Sequence, residues 1–239
     1  MVRGGQPPDA ILITRPEPGA SETAAKVAAM GLTPVIAPFL EIRAARANLP
    51  PPERVAAILL TSGNAVDVLP AEYHAIPVLT VGAATARRSA HAGFADVVSA
   101  DGDAEALAWL VRERINPLGG TLLLASGRGQ GFALAAELRA SGYRVARRVV
   151  YSAVPATRLP EAARSALTDD RTRAVLFFSA ETARCFMRLV RSVGLVDALR
   201  SREAITIGAQ AGMALKGEYW ARVRVAGKPT QDEMLALLR

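Results

Sequence analysis

Two stretches of the chain decide its fold: ILITRPEPGASETAAKVAAMG at residues 11–31 and LLLASGRGQGFALAAELRASG at residues 122–142. Each opens on a short apolar run, passes through small and polar residues, continues Ala-rich at helical spacing and stops at a glycine. Ile11-Leu12-Ile13-Thr14 has the length and apolar continuity of a buried strand. Ser21 to Met30 reads as a helix, with Gly31 just past its end, where a left-handed backbone suits glycine. Thr33 to Ile42 reads as the next strand. Pro34 and Pro38 cannot donate to a ladder, so this strand is expected at an edge or as a crossing ribbon. At a constant offset, Leu122 to Ala140, Gly142 and the strand Val145 to Tyr151 repeat the order.

The repeat continues beyond these stretches. Ala57 to Ser62 matches Ala174 to Ser179, and Thr80-Val81-Gly82 matches Thr206-Ile207-Gly208. The Val97-Val98 strand and the helix Ala104 to Arg114 match Val223 to Val225 and the helix Gln231 to Leu238. Asn48 to Glu53 (NLPPPE) reads as a loop, Val78 to Val81 as a strand and Ala84 to His91 as a helix. Strands alternating with helices predict parallel sheets covered by helices. Two similar runs predict two α/β lobes, which suits a length of 239 residues.

Composition removes several classes. With 51% hydrophobic and 21% charged residues, a disordered tail protein is excluded. The single cysteine, Cys185, excludes a disulfide framework and a cysteine-based zinc site. It reads as a small buried hydrophobe in the helix Thr182 to Val190. His74 and His91 read as surface residues without a metal or triad partner. No HExxH, GxSxG or CxxC occurs, so zinc and hydrolase-triad chemistry have no support. Met1 to Ala10 holds no apolar signal region, and no apolar run approaches the ~20 residues that span a bilayer. A cytoplasmic protein is expected.

The net charge is +7, and all but Lys26, Lys216 and Lys228 of the 29 basic residues are arginine. Coding bias over solvated helix faces accounts for such a balance. So does an anionic partner, whose carboxylates or phosphates fit the arginine fork. A nucleic-acid surface would want clustered arginine with interleaved aromatics. Aromatics are 5% of the chain and the arginines are dispersed, so no nucleic acid is expected.

The strand-to-helix turns carry the polar chemistry. Ser126-Gly127-Arg128-Gly129-Gln130-Gly131-Phe132 follows a strand and opens a helix. It lacks the glycine that a dinucleotide fingerprint wants at Phe132, and the Lys-Ser/Thr pair of a P-loop. Two readings remain: a plain tight turn, or a helix start whose free N–H groups hold an anion such as a carboxylate. Thr61-Ser62-Gly63-Asn64 and Ser179-Ala180-Glu181-Thr182 share the order strand, hydroxyl, helix start. Their hydroxyls cap helices, contact a ligand at the carboxyl edge of a parallel sheet, or do both. Thr85 in Gly82 to Ala86, and Arg15 in Thr14-Arg15-Pro16, repeat the pattern. The recurrence points to one ligand with many negative groups. Tyr151 ends an apolar strand, where packing alone would also account for it.

Together these residues resemble the uroporphyrinogen-III synthase family. The likeness lies in Ile-Thr-Arg-Pro (13–16), Thr-Ser-Gly-Asn-Ala-Val (61–66), Val-Gly-Ala-Ala-Thr-Ala (81–86), Gly142 with Val-Val-Tyr (149–151), Phe-Phe-Ser (177–179) and Ala-Gly-Lys-Pro-Thr (226–230). The resemblance implies an α/β fold of two flavodoxin-like lobes with parallel sheets, joined by a two-stranded ribbon. One lobe would be discontinuous, residues 1–39 plus 154–239. The other would be residues 42–151, with the ribbon at about 33–42 and 145–154 and the lobes hinged around a cleft.

The reaction implied is closure of hydroxymethylbilane, a linear octacarboxylate, to uroporphyrinogen III. Ring D is inverted and water is lost, a lyase step without cofactor or metal. Tyr151 matches the family's ribbon tyrosine and is the candidate acid. Ser62, Thr85 and Ser179 match its cleft hydroxyls. Arg15 and the turn Ser126, Gly127, Arg128 become the expected carboxylate binders. After Gly208 the family carries a hydroxyl pair. This chain has Ala209-Gln210-Ala211-Gly212, which makes Gln210 the candidate replacement. The expected partners are the tetrapyrrole and, transiently, hydroxymethylbilane synthase, with no membrane and a monomeric state. A two-lobed binding or sensor protein for an anionic small molecule is the alternative, and turnover separates the two.

Overall fold

The computed structural model describes residues 9–215 and 219–239. The stretch 1–8, read above for a secretory signal, and Lys216 lie outside the described residues. The chain runs through β1 (Ala10–Ile13), α1 (Gly19–Ala29), β2 (Thr33–Ile36), β3 (Leu40–Ala44), β4 (Val55–Leu60), β5 (Val78–Thr80), α2 (Ala83–His91), β6 (Val97–Ser99) and α3 (Ala104–Arg114). It continues through β7 (Thr121–Gly127), α4 (Phe132–Ala140), β8 (Arg144–Pro155), α5 (Glu161–Thr168), β9 (Thr172–Phe177) and α6 (Ala180–Ser192). The last elements are β10 (Glu203–Thr206), α7 (Ala209–Ala214), β11 (Arg222–Val225) and α8 (Gln231–Ala236).

Two compact units result. The first takes in the residues up to Glu41 together with Val154–Arg239, and the second is Ile42–Ala153. The sheet of the first unit runs β11-β10-β9-β1-β2 and every neighbouring pair is parallel. The second runs β6-β5-β4-β7-β8, parallel throughout, with β3 added beyond β8. The first unit has the flavodoxin order 2-1-3-4-5 in chain order, and the second reaches the same arrangement circularly permuted, its β-α-β unit coming last in the chain. Each half of the chain gives its β-α-β unit to one sheet and its three-strand run to the other. In both units the chain direction across the sheet reverses at one point, between β1 and β9 and between β7 and β4.

Strand alternation explains why the apolar runs are continuous. Leu12, Val175, Phe177 and Ala204 pack on one side with α5 and α6, while Ile11, Ile13, Ala174, Leu176 and Ile205 pack on the other with α1 and α8. A strand covered on both faces has no solvent side to leave polar. In the second unit, Ile58, Leu60, Leu123 and Ala125 face one layer, and Ala57, Leu59, Leu122 and Leu124 face α3 and α4. Burying each Leu, Ile, Val or Phe among them contributes ~1.5–3 kcal/mol. Both β-α-β units end their helix on a left-handed glycine, Gly31 at φ +78° and Gly142 at φ +87°.

The structure departs from the sequence reading in several places. The single strand expected over 33–42 is two. β2 is the edge strand of the first sheet, and the chain then breaks at Ala37-Pro38-Phe39, where Ala37 N–H donates to Ile13 O and Phe39 N–H to Thr14 O, each at 3.0 Å. Pro34 is tolerated because β2 pairs on one side alone. β3 and β8 then run antiparallel, shown by Ala45 N–H to Val150 O and Ala156 N–H to Phe39 O. Gly63–Val68 is a 3-10 helix rather than α. Helix α5 had no counterpart in the reading, and the Pro-rich loop 48–53 stands in its place in the second unit. His74 is half-buried and packs against Phe94, at 4.5 Å between ring centroids with the rings tilted by 48°, rather than lying free at the surface.

Candidate functional site

In each unit the candidate residues gather at the carboxyl edge of the sheet. In the second unit, Ser62 follows β4, Gly82 to Thr85 follow β5, and Ser126 to Arg128 close β7. Tyr151 belongs here because β8 pairs with β7 out to that end. The ladder matches Ser126 with Val149 but Gly127 with Tyr151. The bulge between them re-aims the strand, so the phenol ring lies against Gly127. A Cβ on Gly127 would sit 2.8 Å from the ring atoms Cε2 and Cζ of Tyr151, so the approach requires glycine.

Tyr151 is 2% exposed, and its hydroxyl donates to Gln130 Oε1 at 3.0 Å. Gln130 is held in turn by its backbone. Its N–H donates to Gly127 O at 3.1 Å, and its carbonyl accepts from Arg147 Nη1 at 3.0 Å. Arg147 also donates to Ser126 Oγ at 3.4 Å, and its guanidinium lies 3.9 Å above the Phe132 ring. These contacts settle the two readings of the turn at two positions. The N–H of Arg128 donates to Tyr151 O and that of Gln130 to Gly127 O, so neither is free for an anion. The side chain of Arg128 is exposed.

Ser62 caps the 3-10 helix by accepting from Asn64 N–H at 3.3 Å. Thr85 lies beside it in the first turn of α2, with Oγ1 4.0 Å from where a Cβ of Gly63 would be. Arg88, one turn on, packs its Cδ against the same glycine and pairs with Asp67, Nε to Oδ1 at 3.3 Å. Capping uses a lone pair of Ser62 and leaves its O–H proton available to a carboxylate.

The first unit repeats this arrangement in part. Ser179 caps α6, accepting from Thr182 N–H at 3.1 Å with Thr182 Oγ1 at 2.9 Å. Thr206 Oγ1 donates to Gly208 O at 3.3 Å, as Thr80 Oγ1 does to Gly82 O at 3.2 Å. Gln210 stands exposed in α7, which is six residues long. Arg15 sits where the strand order reverses. It stacks 4.2 Å over Phe178 and donates through Nη1 to Thr23 Oγ1 at 3.3 Å and Gln231 Oε1 at 3.0 Å. It packs so closely under Gly19 that a Cβ there would overlap its guanidinium. Burial pushes the Arg15 guanidinium below its ordinary value, and Glu22 and Glu17 oppose that shift. An arginine remains cationic under such a shift.

A family model described as uroporphyrinogen-III synthase HemD matches residues 21–236. The chain belongs to the uroporphyrinogen-III synthase family. Among solved uroporphyrinogen-III synthases, the enzyme from Helicobacter pylori 26695 is 19% identical, with 96% of this chain and 97% of that chain covered and a TM-score of 0.64. A mutant of the Thermus thermophilus enzyme is 22% identical, with 96% of each chain covered and a TM-score of 0.51. These likenesses are likenesses of fold. No curated protein sequence matches the chain. Among the described residues no cluster of three or more His, Cys, Asp or Glu side chains could hold a metal ion, and no helix is long and apolar enough to cross a membrane.

Of the residues the sequence reading named, the structure brings Ser126, Gly127 and Arg128 together with Tyr151, and Ser62 with Thr85. The sequence reading missed Gln130, Arg147 and Phe132. Gln130 lay inside the quoted turn, and Arg147 inside the quoted strand. Nothing local to the chain announced that they meet.

Proposed function

We propose that the protein closes hydroxymethylbilane to uroporphyrinogen III, with inversion of ring D and release of water, as a cofactor-free lyase. The observation that carries this reading is the family match over residues 21–236. In the proposed reaction Tyr151 gives its proton to the departing hydroxyl, which leaves as water. The pyrrole nitrogen supplies the electrons, forming an azafulvene cation. The substituted carbon of ring D attacks, the spiro intermediate fragments and recloses, and the proton lost at the end returns to Tyr151. No net redox change occurs, so no redox cofactor is called for. A positioned proton donor is worth ~10²–10⁴ in rate, and orientation of the linear chain up to ~7–11 kcal/mol.

Ser62, Thr85 and Ser179 hydroxyls, together with Arg15, would hold the carboxylates, with Ser126, Arg128 and Gln210 at the same edges. The substrate also cyclises unaided to the type I isomer, so the protein's task is steering. It would act as a cytoplasmic monomer that takes its substrate promptly from hydroxymethylbilane synthase. The test is anaerobic incubation of purified protein with hydroxymethylbilane, oxidation of the products and separation of the isomers. Type III is expected; type I alone would leave a binding or sensor protein.

A further inference from the structure

We propose that Arg147 and Phe132 form a docking site for a pyrrole ring and its carboxylate arm, the second unit's counterpart of Arg15 and Phe178. The inference rests on the reading above that the ligand is a carboxylated tetrapyrrole.

Three observations carry it. First, the Arg147 charge is held by neutral groups alone. Nη1 donates to Ser126 Oγ and to Gln130 O, and the guanidinium face lies 3.9 Å over Phe132. The arginines that brace the surface are different: Arg88 pairs with Asp67, Arg112 with Glu137 and Arg171 with Asp9. Among the described residues Arg147 enters no ion pair, and its Nε and Nη2 carry no hydrogen bond. A half-buried guanidinium clamped in place with an open edge is preorganised for a carboxylate. Second, Phe132 is 60% exposed at the first position of α4, an apolar ring left open beside a fixed cation. A pyrrole ring can lie on the one while its carboxylate meets the other. Third, the first unit has the same construction at its own sheet edge. Arg15 lies 4.2 Å over Phe178, and neutral Thr23 and Gln231 accept its hydrogen bonds. Two unrelated stretches of chain arrive at one arrangement: cation, ring face and neutral acceptors. The exposed Arg128, which the sequence favoured, has no such clamp.

Equilibrium dialysis of uroporphyrinogen III under nitrogen reads the site without turnover. Arg147→Gln is expected to weaken binding by roughly 10- to 100-fold, the loss of a charge-assisted contact. Phe132→Ala removes an exposed ring that carries the Arg147 guanidinium on one face, and is expected to weaken binding several-fold. Arg114→Gln, on an exposed helix face, controls for general loss of positive charge and should leave binding unchanged. In turnover, Arg147→Gln should raise KM for hydroxymethylbilane with kcat within about threefold. Wild-type affinity in both Arg147→Gln and Phe132→Ala, or an equal loss in Arg114→Gln, overturns the site. If Arg147→Gln does not fold, Phe132→Ala decides. Type III product from wild-type protein with unchanged KM in the variants would defeat the docking site and leave the activity standing.

Discussion

The two units arrange their five common strands alike, and the residues at the carboxyl edges of their sheets differ most at one place. At the ends of β4 and β9 both carry a capping serine. At the ends of β5 and β10 both carry a buried threonine bonded to the glycine carbonyl two residues on. At the ends of β1 and β7 they differ. The first unit fills the point of strand reversal with Arg15, stacked on Phe178 and covered by Gly19. The second leaves it to glycine, and the room left by Gly127 is taken by the Tyr151 ring. The difference teaches that a duplicated scaffold can keep its capping and buried hydroxyls in both copies while one copy alone places a phenol against its sheet edge.

The comparison breaks most sharply at the phenol. Tyr151→Phe is expected to lower formation of type III product by ~10²–10⁴, with the melting temperature near that of wild type because the buried ring is kept. Unchanged turnover would remove the chemical distinction between the units. A glycine pair sharpens it next. Gly127→Ala forces a Cβ into the Tyr151 ring and is expected to cost about 1–3 kcal/mol in urea unfolding. At Gly208 a Cβ meets open space and φ is −175°, so Gly208→Ala should fall within about 0.5 kcal/mol of wild type. Equal costs would mean that the crevices are not differently filled.

Where the units agree, variants should agree. Ser62→Ala and Ser179→Ala each remove a cap that accepts a backbone N–H, and each is expected to destabilise by ~0.5–2 kcal/mol. The smallest effect concerns Asp9. A hydrogen bond from Thr33, and then one from Arg171, hold its carboxyl below the usual carboxylate value. Its stabilising effect is therefore present above the unfolded value and lost as pH falls through the lower, folded one. Gly120 occupies the equivalent sequence position in the second unit. Asp9→Asn should unfold more easily than wild type at neutral pH, with the gap closing in acid; a gap that persists in acid would count against this ion pair.

Much of the fold was legible because its signals are local. Apolar runs such as AILI and VAAILL are buried on both faces, and Gly31 and Gly142 mark helix ends by their backbone. The break inside 33–42 was not legible. Pro34 and Pro38 look alike in sequence, yet one sits in an edge strand and the other ends it. Helix α5 was passed over because its eight residues, EAARSALT, are short for a helix and carry one large apolar side chain, Leu167. The site divided the same way. Capping serines announce themselves through the helix-opening residues next to them in the chain. Arg147 does not, since its importance depends on a ring and a turn that the fold alone brings beneath it.

The exchange of β-α-β units between the two sheets has a consequence for synthesis. The second unit is one unbroken segment and has all its strands once residue 153 has emerged. β1 is four apolar residues, AILI, whose ladder partners are β2 and β9, and Ala10 pairs with Thr172. At ~5–20 residues per second, the ribosome holds that strand without β9 for roughly ten to thirty seconds. During that interval one side of it is an open edge, ready to pair with any other nascent strand. The N-terminal β-α-β unit is thus a part of this protein that a chaperone would protect, although in the finished molecule every residue of β1 is buried.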